Sequence, residues 1–161
     1  PRDAAREAAR IAREAGVPVS LDPGSFQLIA ETGVDRFLGF TTDLGVGLLL
    51  PNYEEGNVLT GETEPEAIAV RLAGLYPGAL IMLKLDANGA LVYQDGVATR
   101  VPPTPGHLID ATGAGDAFAG AFLSRWLRGE DAVTAAAFAT RVSAWVIERL
   151  GARPRGDWPR D

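Results

Sequence analysis

Residues 110–120 read Asp-Ala-Thr-Gly-Ala-Gly-Asp-Ala-Phe-Ala-Gly, a glycine-rich segment that runs into a helical pattern. Small residues at 113–115 would open that helix, so their N–H groups would lack an intrahelical acceptor and attract an anion. Glycine also lets a phosphate approach the backbone closely. Asp116 would lie beside the anion, where its negative charge would be repelled by a phosphate. A carboxylate at such a position indicates a chemical role, and taking a proton from an attacking hydroxyl group is the obvious one. The segment predicts a phosphate site with a general base; the alternative is a plain tight turn with Asp116 stabilising the helix dipole.

Two other phosphate motifs fit these residues less well. A Walker loop needs Gly-Lys-Ser/Thr, and the only lysine of the chain, Lys84, lies elsewhere. The dinucleotide fingerprint needs a third glycine at 118, where the chain has Phe118. A nucleotide-binding oxidoreductase is therefore disfavoured.

Outward from this segment, strand and helix patterns alternate along the chain. The expected strands are 17–21, 46–50 and 79–85, followed by a hairpin of 90–93 and 97–101. The expected helices are 3–15, one or two short ones within 25–45, then 54–59, 63–75, 115–128 and 132–150. This alternation predicts an α/β fold with a mainly parallel sheet and helices on both faces, and a ligand site at the carboxyl ends of the strands.

Local signals place several helix ends. Gly16 would end the first helix, and Asp131 would cap the last one. Thr63 and Glu66 have the spacing of a capping box. The first helix carries its small and apolar residues, Ala4, Ala8, Ile11 and Ala15, on one face and Arg and Glu on the other.

Composition excludes several classes of function. The 161 residues carry a formal net charge of −6 and no cysteine, so nucleic acid is not an expected partner and a thiolate metal site is excluded. No apolar run approaches the roughly 20 residues that span a bilayer, so we expect no membrane partner. The sequence predicts a soluble, cytoplasmic protein.

The motifs together resemble a known family. Residues 110–122 are similar to the C-terminal signature of the ribokinase-like carbohydrate kinases, the PfkB family. Asn52 and Glu55 resemble its Asn-x-x-Glu motif after a buried strand, 82–89 its strand and turn beside the nucleotide, and 151–154 its closing loop. The resemblance implies that 1–161 is the C-terminal portion of a single ribokinase-like domain, without the N-terminal part of the fold and the lid.

The resemblance implies roles for the residues around the phosphates. Gly113, Ala114 and Gly115 would form an anion hole for the transferring phosphoryl group, and Asp116 would be the catalytic base. Glu55 would act on the Mg²⁺ shell through water, and Asn52 would orient the phosphates or the same waters. Asp110 resembles the carboxylate that holds a monovalent cation (K⁺) in some members.

Further positions would border the nucleotide. Lys84, Asp86 and Gly89 lie in the strand and turn beside it, and Thr140 and Ser143 would line the adenine pocket. Asp86 stands where the family commonly has glycine. Lys84 has a structural alternative, in which it pairs with Asp86 or Glu55.

The implied function is ATP-dependent phosphorylation of a sugar or related hydroxyl compound, with ATP, Mg²⁺ and K⁺ as cofactors and a small-molecule sugar or nucleoside as substrate. The alternative is a non-catalytic nucleotide-binding remnant or an interaction fragment. Because the N-terminal half of the family's fold is not matched, a homodimer or pairing with that half are the expected macromolecular partners.

Overall fold

The computed structural model describes residues 2–153, to which every structural statement here refers. The chain divides into two compact units. The first comprises the residues up to Leu85 together with Leu91–Thr99, and the second comprises Asp86–Ala90 and the residues from Arg100 onward.

The elements follow the predicted order closely. The helices are α1 (Arg2–Glu14), α2 (Phe26–Thr32), α3 (Val34–Thr41), α4 (Tyr53–Thr60), α5 (Pro65–Leu75), α6 (Ala114–Trp126) and α7 (Ala132–Ile147). The strands are β1 (Val19–Leu21), β2 (Val46–Leu49), β3 (Leu80–Lys84), β4 (Ala90–Gln94) and β5 (Val97–Val101). Short 3-10 turns occupy Thr42–Leu44 and Asp86–Asn88. None of the helices in the described part of the chain combines the length and the apolar character needed to cross a membrane.

The five strands form one mixed sheet in the order β1-β2-β3-β4-β5. β1 pairs with β2 and β2 with β3 in parallel, with Leu48 opposite Leu80. β4 and β5 are joined by the two residues Asp95 and Gly96, whose φ angles of 51° and 82° suit a tight hairpin turn. The predicted hairpin is thus confirmed, and the parallel part of the sheet is β1–β3.

The core of the first unit lies around β2 and β3. Their apolar side chains are almost fully buried, because helices α4 and α5 pack against β3. Leu49 and Ile81 contribute from the strands, and Ile68 and Leu72 contribute from α5. The continuous apolar run that predicted a buried strand at 46–50 is therefore confirmed.

Helix α1 forms as predicted, and Ala9 is its buried residue. Ala9 is 4% exposed, whereas Ile11 is 52% exposed, and Ala4, Ala8 and Ala15 are exposed as well. Arg2 and Arg6 lie over the ring of Phe40, with distances of 5.6 and 5.3 Å to the ring centroid. Arginine stems can cover an aromatic surface, so the charged face provides contacts that the alanine pattern did not reveal.

The predicted capping box of Thr63 and Glu66 is also absent. Helix α5 begins at Pro65 with Glu64 as its N-cap residue, and no side chain caps it. The φ angle of proline suits the first helical position, so the helix starts there without that help.

In the second unit, α6 and α7 pack against each other. Asp131 caps α7, since its carboxylate accepts hydrogen bonds from the N–H groups of Val133 and Thr134. Phe122 is fully buried and stacks on Trp126, with ring centroids 5.9 Å apart. Both helices and the cap are as the sequence predicts.

Candidate functional site

The carboxyl ends of the three parallel strands carry polar side chains of the first unit. Asp22 follows β1, Asn52 and Glu55 follow β2, and Lys84 is the last residue of β3. The N–H group of Lys84 donates to the carbonyl of Pro51 at 2.9 Å, which extends the pairing of β2 and β3 to this edge. We call these four residues the carboxylate edge; its position is where α/β sheets bind ligands.

Asn52 and Glu55 form a capping box at the start of α4. The side-chain oxygen of Asn52 accepts from the N–H of Glu55 at 2.8 Å, and Oε2 of Glu55 accepts from the N–H of Asn52 at 2.8 Å. Both predicted site residues therefore also hold the helix in place.

The Glu55 side chain is buried, with 1% of the residue exposed. Burial raises the pKa of its carboxyl group, while the hydrogen bond from Asn52 and the charge of Lys84 act in the opposite direction. Its second carboxylate oxygen makes no hydrogen bond to the described residues. Every enclosed side-chain oxygen or nitrogen described has a partner, so that second oxygen reaches solvent.

Lys84 pairs with Asp22, a partner that the sequence reading missed. Its ammonium group lies 2.6 Å from Oδ2 of Asp22, and its side chain is 13% exposed. Neither Asp86 nor Glu55, the two partners considered from the sequence, takes this place. The predicted strands could have indicated this pair, because Asp22 follows β1 and Lys84 ends β3, and these are the two strands that flank β2.

Two of the predicted nucleotide-bordering residues lie in the turn after β3, and the backbone there accounts for the residue type at each position. Asp86 has a φ angle of 49°, the left-handed region that glycine adopts freely and aspartate tolerates. Gly89 has a φ angle of 84°, and a Cβ atom there would lie 2.1 Å from the carbonyl oxygen of Val101. Glycine is thus needed at position 89 for close packing against Val101, and its predicted contact with the nucleotide stays a prediction.

Asp110 stabilises the loop that enters α6, here called the glycine loop (residues 110–116). Its Oδ1 accepts from the N–H of Thr112 at 2.9 Å and its Oδ2 from the N–H of Gly151 at 2.8 Å. These hydrogen bonds, those of Thr112 foremost, lower the pKa of Asp110. Its carboxylate is therefore charged at neutral pH and joins two segments of the second unit.

Gly113 is the N-cap residue of α6, with a φ angle of 81° and no side chain to cap the helix. A Cβ atom at this position would lie 2.9 Å from both the Cα and the Cβ atoms of Ala152. The left-handed backbone and the close approach both require glycine here.

Among the first N–H groups of α6, one donates a hydrogen bond and two have no acceptor among the described residues. The N–H of Ala114 donates to the carbonyl of Ala111 at 3.1 Å. No described residue accepts a hydrogen bond from the N–H groups of Gly115 and Asp116, and Asp116 itself is exposed. Two free N–H groups and an exposed carboxylate therefore lie together on the first turn.

The two hydroxyl groups predicted for the adenine pocket both have protein partners. Oγ1 of Thr140 donates to the carbonyl of Ala137 at 2.9 Å and lies 3.0 Å from Oγ1 of Thr104. Oγ of Ser143 donates to the carbonyl of Ala114 at 3.3 Å. Their adenine contacts stay a prediction, whereas their support of the loop before α6 is observed.

The described residues contain no group of three or more His, Cys, Asp or Glu side chains that could hold a metal ion by themselves. Neither Glu55 nor Asp110, the two predicted metal ligands, belongs to such a group among the described residues, so their metal contacts stay a prediction. Mg²⁺ commonly binds through one or two carboxylates with water and substrate phosphates completing its shell, so a single carboxylate is compatible with it.

The chain matches known proteins over nearly its whole length. The family described as "pfkB family carbohydrate kinase" matches residues 1–158. A nucleoside kinase of Methanothermobacter thermautotrophicus is 27% identical over 141 residues, which cover 87% of this chain and 43% of that protein. The chain thus spans less than half the length of this relative.

Solved structures show the same partial coverage. The adenosine kinase of Sinorhizobium meliloti superposes with a TM-score of 0.86 at 25% identity, covering 94% of this chain and 46% of the other. The ribokinase of Arabidopsis thaliana, complexed with ribose and ATP, superposes with a TM-score of 0.79 at 27% identity, covering 94% and 48%. The mixed sheet and its helices are therefore part of a ribokinase-like fold.

Proposed function

Since this chain belongs to the pfkB family of carbohydrate kinases, we propose that it supplies the phosphoryl-transfer residues of an ATP-dependent sugar or nucleoside kinase. The observation that carries the proposal is the first turn of α6. There the N–H groups of Gly115 and Asp116 have no acceptor among the described residues, and the carboxylate of Asp116 is exposed beside them. Unpaired N–H groups at a helix start favour an anion, and a carboxylate beside them can accept a proton, which supports the proposal.

In the proposed reaction, Asp116 takes the proton of the acceptor hydroxyl group. The hydroxyl oxygen forms a bond to the terminal phosphorus of ATP as the bond from that phosphorus to the bridging oxygen of ADP breaks. The free N–H groups of Gly115 and Asp116 stabilise the negative charge of the transferring group, with Gly113 holding the backbone that aims them. Ala114 contributes its position in the turn, since its own N–H is already bonded.

The carboxylate edge fits a role toward Mg²⁺. Glu55 offers one carboxylate oxygen without a protein partner, and Asn52 holds the other in the capping box. Bound Mg²⁺ would neutralise phosphate charge and keep much of its water shell. Glu55 would hold that shell through water, while Lys84 is paired with Asp22 and stays a predicted neighbour of the nucleotide.

Asp110 fits a role toward a monovalent cation such as K⁺. Its carboxylate oxygens accept the N–H groups of Thr112 and Gly151, and the Thr112 hydroxyl group also acts on this carboxylate, so a cation would share it with these donors. A cation there would be held by Asp110 at the base of the glycine loop. Its lowered pKa keeps the carboxylate charged for that purpose.

The substrate class rests on the relatives. The matched proteins include a nucleoside kinase, an adenosine kinase and a ribokinase complexed with ribose and ATP. A fructokinase of Vibrio cholerae in a fructose-bound form is matched as well, so the names do not narrow the class to pentoses. We therefore propose a sugar or a nucleoside as the phosphoryl acceptor of the whole protein.

The first test is calorimetric titration of the chain with ATP, with and without Mg²⁺, followed by a phosphoryl-transfer assay with ribose, fructose and adenosine. The proposal expects ATP binding that Mg²⁺ strengthens, and transfer that Asp116→Asn abolishes while ATP binding stays. ATP binding without transfer to any acceptor would instead favour the non-catalytic nucleotide-binding alternative. Asp86→Gly serves as a companion variant, because tighter ATP binding in it would show that the Asp86 carboxylate repels the phosphates.

A further inference from the structure

The segment that leads into α6 is attached to α7 along its length. We call residues 104–114 the strap. At its start, the hydroxyl groups of Thr104 and Thr140 lie 3.0 Å apart. At its end, Oγ of Ser143 donates to the carbonyl of Ala114 at 3.3 Å. Residues 104–113 of the strap form no helix or strand, so these contacts must hold it.

The middle of the strap bonds to the C-terminal end of α7. The carbonyl of Ile147, the last helical residue, accepts from the N–H of Ile109 at 2.8 Å and from the N–H of Asp110 at 3.0 Å. The last carbonyl groups of a helix have no intrahelical partner, so the strap satisfies one of them. The strap and the helix end thus complete each other.

Glu148 adds a side-chain contact at the same place. Its Oε1 accepts from the backbone N–H of His107 at 3.0 Å. Glu148 is the C-cap residue of α7, where the helix dipole disfavours an acidic side chain. Arg149 lies 3.8 Å from its other carboxylate oxygen and offsets part of that charge. The hydrogen bond from the N–H of His107 requires an acceptor oxygen in the side chain at position 148.

We propose that Glu148 is a positioning residue of the reaction: its carboxylate holds the strap on α7 and thereby fixes the free N–H groups of Gly115 and Asp116. The inference rests on the proposed function for its catalytic meaning. Physically, a flexible loop must be ordered before its N–H groups can meet an anion, and an ordered strap lowers that entropic cost. Neither the nucleotide nor the acceptor needs to touch Glu148.

Hydrogen–deuterium exchange of the whole chain, read amide by amide, tests the positioning directly. Glu148→Ala removes the acceptor, and the loss of one net hydrogen bond should speed exchange at His107, Ile109 and Asp110 by roughly three- to tenfold. Thr112, Ala114 and Ala117, whose N–H groups are hydrogen-bonded within the glycine loop and the first turn of α6, should exchange faster as well. Glu148→Gln keeps a carbonyl acceptor and should restore slow exchange at all of these positions.

Glu130→Ala is the matched control, because Glu130 lies in the connection between α6 and α7 and pairs with Arg125 at 2.9 Å, away from the strap. It should leave strap exchange unchanged. Faster exchange at His107 alone would overturn the proposal, because the loss of the contact would then not reach the glycine loop. Faster exchange in β2 and β3 as well would also overturn it, because the variant would then destabilise the whole fold. Failure of Glu148→Gln to restore slow exchange would overturn it too.

A second readout separates this inference from the proposed function. Inorganic phosphate is titrated while the amide signals of Gly113, Gly115 and Asp116 are followed. Glu148→Ala should weaken phosphate binding by roughly three- to tenfold, and Glu148→Gln by less than about twofold. If the unchanged chain binds no phosphate, the proposed function fails, while the exchange pattern still decides whether Glu148 orders the loop.

Discussion

The carboxylate edge and the glycine loop carry the predicted site residues in opposite ways. At the carboxylate edge, Asn52 and Glu55 bond to each other and Lys84 bonds to Asp22. On the glycine loop, the N–H groups of Gly115 and Asp116 have no acceptor among the described residues, and Asp116 is exposed. The first region pairs its polar side chains with one another, apart from one oxygen of Glu55, whereas the second leaves two N–H groups and the carboxylate of Asp116 available on the first turn of α6.

The difference shows how mutations in the two regions must be interpreted. A substitution at Glu55 changes a helix cap and a predicted Mg²⁺ contact together, so loss of activity alone would not identify its role. A substitution at Asp116 removes an exposed carboxylate and leaves the packing intact. The two regions therefore need different kinds of variants.

The largest expected effect is that of Asp116→Asn on catalysis. Loss of the general base should lower the phosphoryl-transfer rate at least about 100-fold. Because the side chain is exposed, the free energy of unfolding should change by less than about 1 kcal/mol. Steady-state kinetics and urea unfolding measure the two quantities. A large loss of stability would contradict the interpretation that the Asp116 side chain does not contribute to the stability of the fold.

Gly113→Ala should produce the largest loss of stability. Its φ angle of 81° and the 2.9 Å approach of Ala152 both oppose a side chain, so we expect a loss of about 2–4 kcal/mol in urea unfolding. Gly129→Ala is the matched control, with a φ angle of 92° and open space around the position. It should lose only about 1 kcal/mol, the cost of the backbone alone. Equal losses would show that the contact with Ala152 is unimportant.

At the carboxylate edge, Glu55→Ala and Glu55→Gln separate structure from charge. Glu55→Ala leaves the N–H of Asn52 without its acceptor and should cost about 1–3 kcal/mol of unfolding free energy. Glu55→Gln keeps the acceptor and should stay within about 1 kcal/mol of the unchanged chain. Both variants should weaken the Mg²⁺ dependence of ATP binding. An unchanged Mg²⁺ titration in Glu55→Gln would leave Glu55 with its capping role alone.

The pKa of Glu55 predicts a pH dependence of stability. Burial raises this pKa above its ordinary value of 4.5, so the folded chain holds the proton more tightly than the unfolded chain. The contribution of Glu55 is therefore full below pH 4.5 and is lost as the pH rises through the folded-state pKa. The stability of the unchanged chain minus that of Glu55→Gln should fall over this range in urea unfolding. A constant difference would mean that the carboxylate is not desolvated.

The smallest expected effect concerns the ion pair of Lys84 and Asp22. A double-mutant cycle of Lys84→Met and Asp22→Asn should give a coupling free energy of about 0.5–1 kcal/mol, because the pair is only partly exposed. The exposed pair of Arg10 and Glu7 is the matched control and should give a smaller coupling free energy, because solvent screens both charges. Coupling no larger than in the control would show that the pair with Asp22 does not fix the position of the Lys84 side chain.

Much of the fold could be predicted from local patterns. The apolar run at 46–50, the Asp95-Gly96 turn and the Asp131 cap each depend on neighbours within a few residues, and the structure confirms all three. The buried face of α1 could not be predicted, because the contact of its arginines with Phe40 joins positions far apart in the chain. The capping box was predicted at Thr63 and forms instead at Asn52. Both sites carry compatible residues, and local spacing alone cannot choose between them.

The sequence by itself determined the order of the elements, the glycine loop and the family, since each depends on residue types at short spacing. Only the tertiary structure decided the partner of Lys84, the double role of Glu55 and the attachment of the strap to Glu148. The reason is physical: a charged or polar group bonds to whatever acceptor the fold brings within about 3 Å. For Lys84 that acceptor is Asp22 at the end of another strand, a distance along the chain that no local pattern spans.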